Sequence, residues 1–407
     1  AGARALKNGD CKRAISILSK VEKGSPDYER AREIQAVAYL LSGRAEEAEK
    51  ICLALIDENH GNVQALATLA AVYTEQGKHE ESKAVAFRLC GLKNLTPEEQ
   101  YKVATVCCEN NLHEQALQQF LALEKEIPYD GNMLYFKGVA AYKSGKTDLA
   151  ISALETLCTI YPDAAVAEYY LKAIRRRREN PETEPEPEMT YFYRIPQAER
   201  AKRCRALLKI GKYPRAEAEL FVALALKEGY FRWCFDEMDG MEHDLQYLAI
   251  VTAEHARADG FLRDMLLDCE VSDVLKIEAL RLLYSRNEDN TFGVVVCNIY
   301  RDLHLGRIKI GKRKHKRFVE AHAKVASKFT IINDVYGDKV KAMTEYVYRV
   351  FVKKDCWELA ESSDDLACAI YLLSGLKEVG KNSKIASPAF DAHSENVDRI
   401  MAAVLSK

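Results

Sequence analysis

Residues 36–48 read Ala-Val-Ala-Tyr-Leu-Leu-Ser-Gly-Arg-Ala-Glu-Glu-Ala, and this stretch decides the fold. Its small, aromatic and glycine positions return every 34 residues through the first 165 residues, without an insertion or a deletion. The equivalent positions hold Ala70, Tyr73, Gly77 and Ser82, then Ala104, Cys107, Asn111 and Ala116, then Gly138, Ala141, Gly145 and Ala150. A fixed period of this length indicates a stack of repeated units.

Each recurring position has a physical role in a pair of antiparallel helices. A small residue at Ala36 and its equivalents lets the second helix of a unit approach the first closely. Gly43 stands where a helix ends in a left-handed residue, a conformation that glycine adopts without strain. Pro128 and Pro162 fall where the second helix must stop. The pattern therefore predicts helix pairs that bury their apolar faces against neighbouring pairs.

This period, with these residues at these positions, resembles the tetratricopeptide repeat. The resemblance covers about two-fifths of the chain. It implies an all-α fold in which residues 1–178 form a superhelical solenoid of five repeats, closed by a capping helix at 165–174. In this register residue 1 falls inside the first helix of a repeat, so we expect the natural chain to extend further upstream.

The residues that follow the repeats change composition sharply. The stretch 179–188 contains five glutamates and three prolines, and we expect an extended, self-repelling linker over 179–195. Helical periodicity resumes over 196–290, where Gly211, Tyr213 and Ala216 reproduce the spacing of the repeat. Residues 259–285 are similar to a HEAT-type helical hairpin, with Ser272 predicted to cap its second helix.

The last region, 291–407, is predicted to hold a β-hairpin and a helical domain. Phe292, Val294 and Val296 alternate with a period of two, and the predicted hairpin pairs Thr291–Tyr300 with Leu305–Ile310. The final helices resemble part of a cyclin-box or helix-turn-helix module, in which Asn396 and Arg399 would face DNA. Pro388 interrupts the turn of that module, and the acidic residues Glu395 and Asp398 oppose nucleic acid.

Composition and motifs narrow the classes of function. The net charge of −2 gives no general attraction to nucleic acid, and no apolar run is long enough to span a membrane. Twelve cysteines without zinc spacing indicate a reduced, cytoplasmic protein without a metal site. The sequence lacks the phosphate-binding, dinucleotide-binding and metalloprotease motifs, so we expect neither an enzyme nor a cofactor. A catalytic cluster assembled from distant residues is the alternative.

The resemblance places partner binding in the groove lined by the first helix of each repeat. The corresponding positions hold Arg30, Glu33, Val37, Gln64, Glu75, Glu98, Tyr101, Thr105, Asn132, Tyr135 and Tyr142. The positions of a carboxylate clamp hold Glu33, Val37, Thr68, Glu98 and Lys102, so we do not expect a terminal carboxylate as ligand. The tyrosines suit a strip that binds a helix or an extended peptide. Packing of these tyrosines within the solenoid is the alternative.

One basic run offers a second function. The run contains Lys312, Arg313, Lys314, Lys316 and Arg317, which surround His315. It forms either a possible nucleic-acid patch or a solvated loop at the start of a helix.

The favoured interpretation of the whole chain is a non-catalytic scaffold that binds a protein or a peptide. The alternative is a transcription-related regulator with a repeat sensor and nucleic-acid-binding helices near its C-terminus.

Overall fold

The computed structural model describes residues 1–237, 242–333 and 335–406, and these residues are mostly α-helical. The chain divides into two compact units. The first unit comprises 1–197 with 236–239, and the second comprises 198–235 with 240–407. Among the described residues, no helix is both long enough and apolar enough to cross a membrane.

The first unit begins with five consecutive pairs of helices, which confirms the predicted repeats. The pairs are α1 (Gly2–Lys7) with α2 (Cys11–Leu18), α3 (Tyr28–Leu41) with α4 (Ala45–Glu58), α5 (Val63–Glu75) with α6 (His79–Cys90), α7 (Pro97–Glu109) with α8 (His113–Leu123), and α9 (Gly131–Lys143) with α10 (Thr147–Ile160). The capping helix α11 (Ala165–Glu179) follows and is longer than predicted.

Local sequence sets the ends of these helices. Thr96 and Glu99 form a reciprocal capping box at the start of α7, where each side chain accepts from the backbone N–H of the other residue. Asn62 and Asp130 cap α5 and α9 through their side-chain oxygens. Asn111 has a φ of 57° and takes the left-handed position that glycine holds in the other pairs. These capping residues start or end the helices at equivalent positions of successive repeats.

Small residues allow the two helices of a pair to pack closely. Ala36 and Ala70 are each 1% exposed, and Ala104 is completely buried. At Gly138 a β-carbon would lie only 3.2 Å from the side chain of Leu154. Larger apolar side chains would therefore force α9 away from α10. Since the small residues face the second helix of each pair, the opposite face of the first helix is left to line a groove.

The segment after α11 differs from the linker that the sequence predicts. Met189 and Ile195 are each 2% exposed, and Tyr191 and Tyr193 are half-buried. The prediction of a self-repelling linker is therefore wrong for 189–195, because the rings of Tyr191 and Tyr193 pack against Phe136 and Tyr135 of the repeats. Residues 181–183, which contain no large apolar side chain, are exposed.

Six helices follow. They are α12 (Gln197–Ile210), α13 (Arg215–Lys227), α14 (Tyr230–Asp236), α15 (Glu242–His255), α16 (Asp259–Leu267) and α17 (Asp273–Ser285). The helices expected within 197–228 and 259–285 are present, and Ser272 caps α17 by accepting from the backbone N–H of Leu275. Residues 238–241, between α14 and α15, lie outside the described residues.

The two strands form an antiparallel hairpin, β1 (Asn290–Val296) and β2 (Ile299–Leu305). Phe292, Val294 and Val296 are buried, as their alternation predicts. The predicted second strand, Leu305–Ile310, is wrong. Both turn residues, Cys297 and Asn298, have positive φ, which closes a two-residue turn and brings Ile299 opposite Val296. The second strand therefore starts six residues earlier than predicted.

The C-terminal part of the second unit has its own apolar core. Its helices are α18 (His315–Phe329), α19 (Val335–Lys354), α20 (Ser363–Leu373), α21 (Ser383–Ala386) and α22 (Ser394–Leu405), with 3₁₀ turns at Trp357–Ala360 and Ser387–Phe390. Phe318 packs edge-on against Phe351 and Trp357 at the centre. The run Leu366–Tyr371 in α20 is completely buried, which explains its density of small and apolar residues.

Candidate functional site

The first helices of the repeats line a cavity of about 760 Å³. Five of the predicted groove residues border it together. They are Arg30, Glu33, Val37, Gln64 and Glu98. Asn62 and Lys102 border the same cavity. We call this part of the groove, lined by residues of α3, α5 and α7 and the adjoining loops, the open section.

Negative charge predominates in the open section. Glu29, Glu33, Glu98 and Glu99 border the cavity, against the cations Arg30 and Lys102. The amide nitrogen of Asn62 donates to Oε1 of both Glu29 and Glu33, each at 2.8 Å. Burial raises the pKa of Glu33 and the neighbouring charge of Glu29 adds to the rise, whereas the hydrogen bond from Asn62 lowers it. Because four carboxylates face only two cations, a cationic group placed here would be attracted.

Tyr101 borders a second, smaller cavity of about 370 Å³, together with Pro97, Glu98, Lys102 and Ile127. Its ring packs edge-on against Phe120, with centroids 6.3 Å apart. Burial raises the pKa of Tyr101 to about 12. The side chain is thus half-buried, with part of its ring facing the cavity.

Three of the other predicted groove residues lie away from these cavities. Thr105 donates its hydroxyl to the carbonyl of Tyr101 in its own helix. Glu75 is exposed at the end of α5, and Asn132 is exposed in the first turn of α9. Their positions give no support for a shared binding surface with Glu33.

Tyr135 is completely buried beneath a segment of its own chain. Its hydroxyl oxygen lies 3.1 Å from the carbonyl of Thr190 and 3.2 Å from that of Phe192, so its one proton is shared between the two carbonyls. The ring meets that of Tyr193 edge-on, with centroids 4.8 Å apart. The expectation that Tyr135 offers a free surface is therefore wrong. We call residues 186–195 the strap.

Further contacts hold the strap along the same face. The Tyr142 hydroxyl donates to the carboxylate of Glu186. The Tyr170 hydroxyl donates to the carbonyl of Arg194 at 2.8 Å. Nδ1 of His113 lies 2.9 Å from the hydroxyl of Tyr191. We call the part of the groove formed by His113, Tyr135, Phe136, Tyr142 and Tyr170 the covered section.

A buried carboxylate anchors the far end of the strap. Asp236, which groups with the first unit, accepts from the Tyr193 hydroxyl at 3.0 Å and from the backbone N–H of Val166 at 2.8 Å. Burial raises the pKa of Asp236 to about 6, although both hydrogen bonds oppose the rise. The carboxylate therefore joins the strap to the first turn of α11.

The strap was not predicted from the sequence, although one signal for it was present. Met189, Tyr191, Tyr193 and Ile195 are spaced two residues apart and turn towards the repeats, whereas Phe192 between them is 67% exposed. This is the alternation of an extended chain with one buried face. The glutamates and prolines before it obscured the pattern.

The basic run lies among acidic side chains. Arg313 pairs with Asp355 at 2.9 Å and covers the ring of Trp357. Lys314 pairs with Glu361 at 2.5 Å. Lys316 and Arg317 each lie 3.8 Å from Glu320, and Lys312 precedes them in the loop before α18. These carboxylates would compete with phosphate for the same cations.

The second part of the proposed nucleic-acid surface is also engaged within the chain. The Asn396 side chain donates to the buried carboxylate of Asp365 at 3.1 Å. This hydrogen bond engages the amide group within the chain, so the group is not free to contact a DNA base. In the described ranges, no three His, Cys, Asp or Glu side chains are grouped closely enough to hold a metal ion.

Comparisons with known proteins identify the repeats. Residues 5–71 and 109–165 match family models described as tetratricopeptide repeat. The TPR repeat-containing protein YvcD of Bacillus subtilis strain 168 is 23% identical over 158 residues, which are 39% of this chain and 33% of that protein. The matched region thus spans about a third of the relative's length.

Solved structures resemble this chain only with low TM-scores. A tetratricopeptide repeat protein from Parabacteroides merdae has a TM-score of 0.35 and 17% identity, covering 61% of this chain and 96% of that one. The MamA RS-1 ArsTM double mutant has a TM-score of 0.32 and 16% identity, covering 39% and 88%. Superpositions at this level carry no argument about function.

Proposed function

We propose, from the premise that this is a tetratricopeptide repeat protein, that it is a scaffold whose repeat groove binds an extended segment of another protein. The observation that supports this proposal is the strap. The groove already holds an extended polypeptide, whose carbonyls at Thr190 and Phe192 both lie within hydrogen-bond distance of the Tyr135 hydroxyl. Contacts of this kind recognise main chain and aromatic side chains without needing one exact sequence.

The open section would take the partner's segment. Its cavity is of a size that holds several side chains of an extended peptide. Because Glu29, Glu33 and Glu98 outnumber the nearby cations, the proposed segment carries lysine or arginine. A partner ammonium or guanidinium group would lie near Glu33, whose pKa is raised first by burial and then by the neighbouring charge of Glu29.

The proposal involves no chemical step. The residues that border the open section include no cysteine, histidine, serine or tyrosine. The hydroxyl of Thr96 is engaged in the capping box of α7. The section thus offers shape and charge for binding rather than an activated nucleophile with its base.

A random peptide library displayed on phage and selected on the immobilised full chain tests this function. The selected peptides should be enriched in lysine and arginine. Their affinity should fall about tenfold for Glu33→Gln, since one charge-assisted hydrogen bond of this kind contributes about 1.5–3 kcal/mol. Glu81→Gln is the matched control, because Glu81 is exposed on α6 and does not border the cavity.

Two results would contradict the proposal. One is a selection that enriches no peptide on the folded chain. The other is a set of peptides whose affinity is the same for the wild type, Glu33→Gln and Glu81→Gln. Equal affinities would place binding outside the open section.

A further inference from the structure

We propose that the covered section is a second peptide-binding surface, and that the strap occupies it as an internal competitor. The partner that fits is an extended segment with aromatic side chains two residues apart. This inference extends the proposed function along the groove, but its test does not depend on whether the open section binds a peptide.

The first argument comes from the main-chain contacts of the strap. Tyr135 donates to the carbonyls of Thr190 and Phe192, and Tyr170 donates to the carbonyl of Arg194. Every residue of a partner has a carbonyl, so a different extended chain can accept the same hydrogen bonds. The covered section therefore recognises a backbone conformation that is not unique to the strap.

The second argument comes from two aromatic positions of the strap. Tyr191 lies against Phe136, with centroids 6.3 Å apart, and reaches His113 through its hydroxyl. Tyr193 lies against Tyr135 and donates to Asp236. A competing segment needs an aromatic residue at both positions, and tyrosine at the second, because Asp236 is buried and requires a donor.

An acidic residue completes the recognised pattern. Glu186 precedes Tyr191 by five positions, and its carboxylate accepts from the Tyr142 hydroxyl and pairs with Arg177 at 3.2 Å. The partner's segment is thus acidic at its start and aromatic at its end. This chemistry is the opposite of the cationic segment proposed for the open section, so the two surfaces select different sequences.

The third argument concerns release of the strap. Residues 181–183 are exposed and form a hydrogen-bonded surface turn between α11 and the strap, so the strap stays tethered when its contacts with the groove are broken. Tethering gives the strap an effective concentration on the order of millimolar. An external segment must outcompete that concentration, and the strap therefore sets a threshold that admits only partners with the full aromatic pattern.

The test uses the full chain with a weakened strap, Tyr191→Ala combined with Tyr193→Ala. The probe is a fluorescein-labelled peptide of the strap sequence, Glu-Pro-Glu-Met-Thr-Tyr-Phe-Tyr-Arg-Ile-Pro, and the readout is fluorescence anisotropy. The probe should bind the variant at least about tenfold more tightly than it binds the wild type, whose own strap competes. The matched control probe carries alanine in place of both tyrosines and should bind neither chain.

A second variant keeps the test decisive if the double substitution disturbs folding. Tyr193→Phe removes only the hydroxyl that reaches Asp236 and should increase probe binding by about threefold. Circular dichroism establishes that each variant retains its helicity. If a folded variant fails to bind the probe at about 1 mM, or binds both probes equally, the strap is a fixed part of the unit and the inference is wrong.

Discussion

Tyr135 illustrates how a single hydroxyl can hold two parts of a chain together. Its one proton is shared between two carbonyls of the strap, and its ring is completely buried. Tyr135→Phe keeps the ring and leaves those carbonyls without this donor. We expect the free energy of unfolding of the repeat unit to fall by about 1–2 kcal/mol, as measured by urea denaturation followed by circular dichroism.

Tyr129→Phe is the control for this measurement. Tyr129 is 68% exposed, so removal of its hydroxyl should change stability by less than about 0.5 kcal/mol. Equal effects of the two substitutions would show that the hydroxyl of Tyr135 contributes no specific hydrogen bond.

His322 makes the second unit sensitive to acid. The ring is buried in α18 and packs edge-on against Tyr284, and burial, with a smaller effect from Lys341, lowers the pKa of His322 to about 4. In the unfolded chain the pKa is near 6.5. The unfolded state therefore takes up a proton first, so this stabilisation is complete above pH 6.5 and is lost as the pH falls towards 4.

This linkage predicts a loss of about 2 kcal/mol from His322 between pH 7 and pH 5. Tryptophan fluorescence during urea denaturation measures it, since Trp233 and Trp357 both belong to the second unit. His322→Gln should remove this part of the pH dependence, whereas His79→Gln, on the exposed surface of α6, should retain it. An unchanged pH dependence in His322→Gln would disprove the assignment.

At the scale of elements, the turn between β1 and β2 sets the register of the hairpin. Asn298 has a φ of 60°, which asparagine tolerates better than a β-branched residue. Asn298→Val should lower the free energy of unfolding of the second unit by about 1–2 kcal/mol. Asn298→Gly should be neutral or slightly stabilising, and tryptophan fluorescence in urea compares the two. Valine and glycine variants of equal stability would exclude a left-handed residue at this position.

Two free cysteines from neighbouring repeats lie close together. The sulfurs of Cys90, in α6, and Cys107, in α7, lie 3.0 Å apart. The hydrogen bond with Cys107 lowers the pKa of Cys90 and raises that of Cys107. Diamide should therefore oxidise this pair to a disulfide, taking up the two hydrogens that the thiols lose.

Mass spectrometry of a digest made without reductant measures this bond as a cross-linked peptide. Cys90→Ser should abolish the cross-link. The exposed Cys269 and Cys297 serve as comparison thiols. If Cys90 and Cys107 both react freely with iodoacetamide after diamide treatment, the prediction fails.

At the scale of the whole molecule, charge does not favour nucleic acid. The chain has a net charge of −2, and the cations of the basic run lie beside Asp355, Glu361 and Glu320. We expect no salt-dependent binding of labelled duplex DNA at about 50 mM salt, as measured by fluorescence anisotropy. Binding that is lost in the double variant Lys316→Ala and Arg317→Ala would instead favour the nucleic-acid function.

The sequence was sufficient for most of the repeats and for part of the candidate site. Short-range features such as the left-handed residues Gly43 and Asn111 act within a few residues, so their spacing indicates the helix ends directly. Arg30, Glu33 and Gln64, which this register assigns to one groove, border one cavity. It did not reveal which part of the groove another segment fills.

The sequence alone thus determined the helix pairs, because their caps and small packing residues interact within or between adjacent helices. Only the tertiary structure decided the path of the strap. Tyr135 and Tyr170, which are far away along the chain, hold the strap through the carbonyls of Thr190 and Arg194. A run of glutamates and prolines appears solvated until those contacts exist, since burial depends on what the folded chain places beside it.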